Sequence, residues 1–281
     1  ENRIVEAVYG REQADMEDVV SQTGLRATLA ALPPAQQALA LPPSPGRDPD
    51  EALTDVAYIK GQWFLSFLEG RFGRDAFDPF LRKWFDEHAF KSVTTDDFLA
   101  FLRRELLARN PGKLTEAELA AWIAGPGLPD TAVPAASPRL AAVDVAREAW
   151  LERRTAAAEL DTAKWITQEW VHFLEGLPAD IDATRLLELD GAFRFTGTPN
   201  GEIAQRWYPI TVRAGYFEAR PALAQFLRKV GRRKLILPSY VALAETPDGL
   251  AFARQVLQQA SAGYHPITRG AVQAALDAAP R

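Results

Sequence analysis

Few side chains in this sequence are arranged to do chemistry. The 281 residues contain three histidines and no cysteine, which excludes disulfides, cysteine–zinc sites and a thiol nucleophile. His172 and Glu175 are three positions apart, so a helix would place both on one face as possible metal ligands. No third ligand accompanies them, and the H-E-x-x-H zinc motif is absent. An ordinary histidine at the edge of a helix is the favoured interpretation.

Two other groups of residues could act on a substrate. Tyr58 is either a core aromatic of the helix that contains Trp63 or a phenolic hydrogen-bond donor. Five cations lie within positions 228–234 and form either a solvated basic patch or an anion site; they are Arg228, Lys229, Arg232, Arg233 and Lys234. The net charge of −5 argues against a broad phosphate-binding surface, so no nucleic-acid partner is expected.

Helices are predicted to position these residues, since almost every segment has a 3.6-residue period. The apolar stripe of one helix contains Phe77, Phe80, Leu81, Trp84 and Phe85, with Pro79 predicted to lie early, where a missing N–H costs little. Thr94 and Asp97 resemble a capping box ahead of the next helix. Strand-like alternation is scarce, and 47% of the residues are hydrophobic, enough for a core. The sequence therefore predicts an all-α protein.

The pattern of glycine and proline divides the chain into two domains. A Pro/Gly-rich linker is predicted over 125–137, between a helical domain at 1–124 and a second domain at 138–281. Short helices punctuated by Gly or Pro in the second domain suggest a small α-solenoid. A further break at 33–50 predicts a long loop. No apolar run reaches transmembrane length, so no membrane association is expected.

The first nine residues have the pattern of the middle of a helix. Ile4, Val5, Val8 and Tyr9 form an apolar stripe, with no capping residue and no initiator methionine before them. We expect the chain to be cut from a longer protein.

Several short motifs, in the same order along the chain, resemble the gluzincin zinc aminopeptidases of the leukotriene-A hydrolase type. Residues 58–61 match the Tyr-x-Lys-Gly that opens a helix in that family, and residues 89–98 match its aromatic-Lys-Ser-x-Thr-Thr-Asp-Asp segment. The other matches are Asp48-Pro49-Asp50, Trp122 with residues 125–129, residues 231–234 and residues 264–268. The resemblance implies the helical lobe of a thermolysin-like catalytic domain followed by an armadillo- or HEAT-like helical domain.

The resemblance also implies roles for individual residues. Tyr58 would donate a hydrogen bond from its phenolic O–H to the oxyanion of a tetrahedral intermediate, while Arg232 and Lys234 would bind the free carboxylate of a short peptide. Asp50 matches a residue that places water in epoxide-hydrolase members, although it could equally be a loop or cap aspartate. Leu53 stands where those members carry a second tyrosine, which disfavours epoxide hydrolysis.

The family's zinc ligands would lie upstream of Glu1. Glu1 itself matches either a carboxylate that orients a zinc-bound histidine or an ordinary solvated glutamate. The implied parent is a zinc aminopeptidase acting on short peptides with free N- and C-termini, and the fragment alone is expected to be inactive. The alternative is a non-catalytic helical module that binds a partner protein. We expect a cytoplasmic location, with a periplasmic or secreted one as the alternative; the sequence is silent on oligomeric state.

Overall fold

The computed structural model describes residues 2–41 and 54–279, and these residues form helices, turns and loops without a β-strand. The all-α prediction is confirmed. The chain divides into two compact units, Glu1–Ala136 and Ser137–Arg281.

Unit 1 contains six α-helices among its described residues. They are α1 (Asn2–Tyr9), α2 (Arg11–Ala31), α3 (Gly61–Phe72), α4 (Arg74–His88), α5 (Thr95–Leu102) and α6 (Glu116–Ile123). A π-helical turn, Val56–Lys60, leads directly into α3, and a second one, Arg103–Leu107, follows α5. A short 3₁₀ turn, Pro34–Gln36, follows α2.

Aromatic residues make up nearly half of the buried core of unit 1. Trp122 of α6 is completely buried, and its ring lies 5.7 Å from that of Phe64 and 5.3 Å from that of Phe67, both on α3. Phe80 of α4 packs 5.4 Å from Phe101 of α5. The ring contacts join α3 to α6 and α4 to α5, and all of these aromatic residues belong to or pack against one hydrophobic core.

The capping box predicted before α5 is present. Thr94 Oγ1 accepts a hydrogen bond from the Asp97 amide at 3.2 Å, and Asp97 Oδ2 accepts one from the Thr94 amide at 2.8 Å. The two bonds satisfy amides that the helix start leaves without partners.

The prediction that Pro79 lies early in its helix is wrong. Helix α4 begins at Arg74, so Pro79 lies beyond the first turn, where each residue normally donates to the carbonyl four positions earlier. The helix nevertheless continues to His88 because Phe77 and Phe80 are buried on either side of the proline in sequence.

Helix α1 is held by charge. None of its residues is buried, and Ile4 of the predicted apolar stripe is 69% exposed. Arg3 donates two 2.8 Å hydrogen bonds to the Asp78 carboxylate of α4. Glu6 accepts a 2.6 Å bond from Arg74 at the start of α4. Ion pairs to α4 therefore take the place of apolar burial here.

Unit 2 contains eight α-helices among its described residues. They are α7 (Pro138–Leu151), α8 (Thr167–Glu175), α9 (Ala183–Phe193), α10 (Gly201–Arg213), α11 (Arg220–Lys229), α12 (Arg233–Ala244), α13 (Pro247–Ala260) and α14 (Pro266–Asp277). Helices α8, α10, α12 and α14 pack successively on one another, and α11 packs on α13. This stacking of alternate helices is the arrangement of a small α-solenoid. No described helix in either unit is long and apolar enough to cross a membrane.

Candidate functional site

Tyr58 lies in the π-helical turn that precedes α3. Its side chain is 65% exposed, so the interpretation of Tyr58 as a core aromatic is wrong. Trp63, which lies in the first turn of α3, is buried instead. Within the described part of the chain, the phenolic hydroxyl has no hydrogen-bond partner.

The Tyr58 ring lines an open groove in unit 1 with a volume of about 690 Å³. The groove is bordered by the beginning of α1, the middle of α2, the segment after the 3₁₀ turn, the Tyr58 turn with α3, the start of α5 and the end of α6. Its lining residues include Glu17, Leu39, Gln62, Phe98 and Ile123. A neutral phenol in such a groove can donate a hydrogen bond to a bound substrate without introducing charge.

Lys60 is buried two residues after Tyr58. The side chain is 0% exposed, and its Nζ donates to the carbonyl oxygens of Gln37 at 3.0 Å and Gly125 at 2.7 Å. Burial lowers the pKa of the Lys60 ammonium group to about 8. Sequence reasoning assigned no role to this residue beyond its place in the Tyr-x-Lys-Gly motif.

Gln37 joins the same network from the segment after α2. Its Nε2 donates to the carbonyl oxygens of Leu29 and Leu32 at 2.8 and 2.7 Å, and its Oε1 accepts from the Gly127 amide at 2.8 Å. One side chain therefore ties the end of α2 to the loop after α6. No sequence signal identified this residue in advance.

A carboxylate network connects α1, α2 and α3 at the edge of the groove. Asp18 of α2 accepts hydrogen bonds from the side-chain amides of Asn2 and, at 2.5 Å, Gln62. Burial raises the pKa of the Asp18 carboxyl group, and the bond from Gln62 opposes that shift. Asn2 and Gln62 both line the groove that Tyr58 lines.

In unit 2, Arg232 and Lys234 lie at the first turn of α12. Arg232 occupies the N-cap position, and Arg233 and Lys234 begin the helix. All three side chains are exposed, and none makes an ion pair or side-chain hydrogen bond with another described residue. Arg228, at the end of α11, donates to Gln259 at 2.8 Å. Cations at the positive end of a helix dipole are locally unfavourable.

The described residues do not form a metal site. No group of three or more His, Cys, Asp or Glu side chains converges in residues 2–41 and 54–279. The suggested pair is engaged elsewhere, because His172 Nε2 lies 2.7 Å from Asp144 Oδ1 and Glu175 accepts a 2.8 Å bond from Arg206. His172 and Glu175 therefore do not form a metal site with each other among the described residues.

The other two histidines have structural positions. His88 ends α4, where its Nδ1 lies 2.8 Å from the Trp84 carbonyl oxygen, a favourable position at a helix C-terminus. His265 caps α14 and accepts a 3.3 Å bond from the Ile267 amide.

Some residues named from the sequence lie outside the described residues. They are Glu1, Asp50 and Leu53, and Asp48 and Pro49 of the Asp48-Pro49-Asp50 motif lie outside them as well.

Two family models match separate parts of the chain. Residues 1–117 match the Peptidase family M1 domain. Residues 165–276 match the family described as Leukotriene A4 hydrolase, C-terminal. The first match contains Tyr58 and Lys60, and the second contains Arg232 and Lys234.

Relatives extend these matches along nearly the whole chain. Leucine aminopeptidase 2 of Eremothecium gossypii is 30% identical, over 98% of this chain and 48% of the relative. The protein of the same name from Yarrowia lipolytica is 29% identical, over 97% of this chain and 45% of the relative. The chain thus spans about half the length of the curated relatives it matches.

A solved structure shows the same fold. Yeast LTA4 hydrolase in complex with bestatin has a TM-score of 0.85 and 24% identity, covering 98% of this chain and 48% of that one. The motifs, the two family matches and this fold agree. The chain therefore combines a Peptidase family M1 match in its first unit with a match to the leukotriene A4 hydrolase C-terminal family in its second.

Proposed function

We propose that this chain is part of a zinc-dependent aminopeptidase that releases N-terminal residues from short peptides. The observation that carries the proposal is the position of Tyr58, whose phenol is exposed on a groove of about 690 Å³. The buried face of α3, which follows Tyr58, is formed largely by Trp63, Phe64 and Phe72. Packing alone therefore does not account for a tyrosine at position 58.

In this proposal Tyr58 donates its phenolic O–H to the oxyanion that develops as the peptide carbonyl becomes tetrahedral. The phenol suits this role because it is neutral and has no hydrogen-bond partner among the described residues. A donor aimed at developing charge in such a site typically contributes about 2.7–4 kcal/mol to lowering the barrier.

Arg232 and Lys234 bind the C-terminal carboxylate of the peptide in the same proposal. A guanidinium can hold a carboxylate through two parallel hydrogen bonds, and a lysine ammonium adds a point charge. Both side chains are exposed and without an acidic partner among the described residues, at a helix end where cations are locally unfavourable. An anionic ligand would offset that cost, which supports a substrate-binding role over a merely solvated patch.

The zinc ion is proposed to be held by residues of the longer protein. The relatives are about twice as long as this chain, and the described residues hold no metal-binding cluster. The 281-residue chain alone is accordingly proposed to be inactive.

The test uses the full-length protein that contains this chain. We expect it to purify with about one zinc per molecule, to release the N-terminal residue of a tripeptide, and to lose that activity when a chelator removes the metal. The isolated chain, assayed in parallel, should release nothing. A full-length protein that neither retains zinc nor hydrolyses peptides would contradict the proposal and favour the non-catalytic binding module.

A further inference from the structure

We propose that Lys60 is a positioning residue for Tyr58, because its buried ammonium group fastens the Tyr58 turn to two other segments that line the groove. This inference rests on the proposed role of Tyr58 and adds the element that holds the phenol in place.

The ammonium group of Lys60 connects the Tyr58 turn to the rest of the groove wall. Lys60 Nζ donates to the carbonyl oxygens of Gln37 and Gly125, which are 23 and 65 residues away in sequence. Each carbonyl lies two residues from a side chain that lines the groove, Leu39 in one segment and Ile123 in the other. The ammonium group therefore joins three parts of the groove wall.

The two segments are also joined directly to each other. The Ala40 amide donates to the Ile123 carbonyl oxygen at 3.0 Å, and Gln37 Oε1 accepts from the Gly127 amide at 2.8 Å. Because these bonds fix the two acceptor carbonyls relative to one another, the lysine meets a rigid pair of acceptors. Its position, and that of the turn it belongs to, is correspondingly restricted.

The positive charge of Lys60 is only partly compensated by its surroundings. Lys60 has no carboxylate partner in the described part of the chain; both of its acceptors are backbone carbonyls at the ends of helical segments. Gln37 closes the 3₁₀ turn Pro34–Gln36, and Gly125 follows the last turn of α6. The two carbonyl oxygens carry partial negative charge, and their hydrogen bonds to the ammonium group partly compensate the buried cation.

A buried cation with partial compensation is an expensive way to stabilise a fold. Replacing buried ionic groups by apolar residues of similar size is often neutral or stabilising. Methionine has a similar length and no polar head, so it would serve packing at this position as well as lysine does if the two carbonyls had other donors. The hydrogen bonds of a lysine fix the position of the turn more closely than apolar packing would.

The test is a double-mutant cycle in the full-length protein, with Tyr58→Phe, Lys60→Met and the double variant assayed on a tripeptide. Misplacement of a reacting group by about 1 Å can cost on the order of 100-fold in rate. We expect Lys60→Met to lower kcat by about 10- to 100-fold with KM changed less than about threefold. In the Tyr58→Phe background the same substitution should lower kcat by less than about twofold, because the group it positions is gone.

The exposed Lys164 makes no ion pair or side-chain bond with a described residue, so Lys164→Met serves as the matched control and should leave kcat unchanged. If Lys60→Met does not yield folded protein, the cycle is run with Lys60→Gln, which retains an N–H donor. Equal losses of kcat in both backgrounds, or no loss in either, would overturn the inference. If Tyr58→Phe alone leaves kcat unchanged, the proposed role of Tyr58 is the part that fails.

Discussion

The turn that carries Tyr58 and the helix start that carries Arg232 and Lys234 are built in opposite ways. Beside Tyr58, a fully buried lysine makes two hydrogen bonds to distant segments. Around Arg232 and Lys234, the side chains are exposed and without partners among the described residues. A proton donor requires a fixed geometry, whereas a charge attracts a carboxylate over several ångströms. The contrast suggests that buried contacts hold Tyr58 in place, whereas Arg232 and Lys234 contribute only their charge to carboxylate binding.

The strongest test of this contrast is the loss of the phenolic proton donor. Tyr58→Phe should lower kcat by about 100- to 1,000-fold, because the oxyanion loses a hydrogen bond made in the transition state. KM should change little, since a phenyl ring still lines the groove. Steady-state kinetics of the full-length protein measure both constants; a rise in KM with kcat preserved would mean that Tyr58 only binds substrate.

The second test removes one of the two cations, Arg232 and Lys234, that are proposed to bind the carboxylate. Arg232→Ala should lower kcat/KM for a tripeptide with a free C-terminus by about 10- to 100-fold, as expected for losing a hydrogen bond to a charged group of about 1.5–3 kcal/mol. The C-terminal amide of the same peptide should be affected much less. Arg233→Ala, a neighbouring exposed arginine, is the matched control and should affect neither substrate. Equal losses for acid and amide would argue against carboxylate recognition.

A third test uses pH to separate the two regions. Below pH 8 Lys60 is charged in both folded and unfolded protein, so the folded state bears the full cost of burying the charge. Between the folded pKa of about 8 and the ordinary value of 10.5, the unfolded state binds more protons. Stability relative to Lys60→Met should therefore rise with pH in this window, by up to about 1.4 kcal/mol per pH unit.

Melting temperatures of the two proteins between about pH 7 and 9.5 measure this effect. Arg232→Met should show no such pH-dependent difference, because the Arg232 side chain is exposed to solvent in the folded protein as it is in the unfolded one. A constant difference between the wild-type protein and Lys60→Met would show that the ammonium group is not held in an environment that disfavours its charge.

The smallest expected effect is that of salt. Interactions of the exposed Arg232 and Lys234 with a carboxylate should be screened, so raising NaCl from about 50 to 500 mM should increase KM for the free-acid peptide by up to about fivefold. kcat should hold within about twofold, because Tyr58 acts as a neutral donor. A matching rise in KM for the peptide amide would assign the salt effect elsewhere.

Local patterns predicted those parts of the molecule that depend on neighbouring residues. The Thr94–Asp97 capping box and the helical character of the chain both follow from spacings of a few residues. Pro79 shows the limit of this reasoning, because where a helix begins depends on packing that a proline alone does not reveal.

The hydrogen bonds of Lys60 and Gln37 that hold the Tyr58 turn join distant parts of the chain, so the sequence could not indicate them. Lys60 is bonded to backbone carbonyls 23 and 65 residues away, and every residue has such a carbonyl. Gln37 is equally anonymous in sequence, being one glutamine in a polar turn. Arg232 and Lys234 were visible as part of a dense cationic run, because their exposure requires no distant partner. Carboxylate binding by these two residues is a prediction that the Arg232→Ala variant tests.

The wide turn at Val56–Lys60 has one further consequence, for the alignment of this chain with its relatives. A π-helical turn accommodates one more residue than an α-helical turn before the helix resumes. The direction in which Tyr58 points around the helix axis is thus set separately from that of the buried Trp63 and Phe64. A single-residue deletion within the turn would leave the buried face of α3 in place and rotate the phenol away from the groove. Relatives that differ by one residue at this point would keep the fold and differ in where the hydroxyl points.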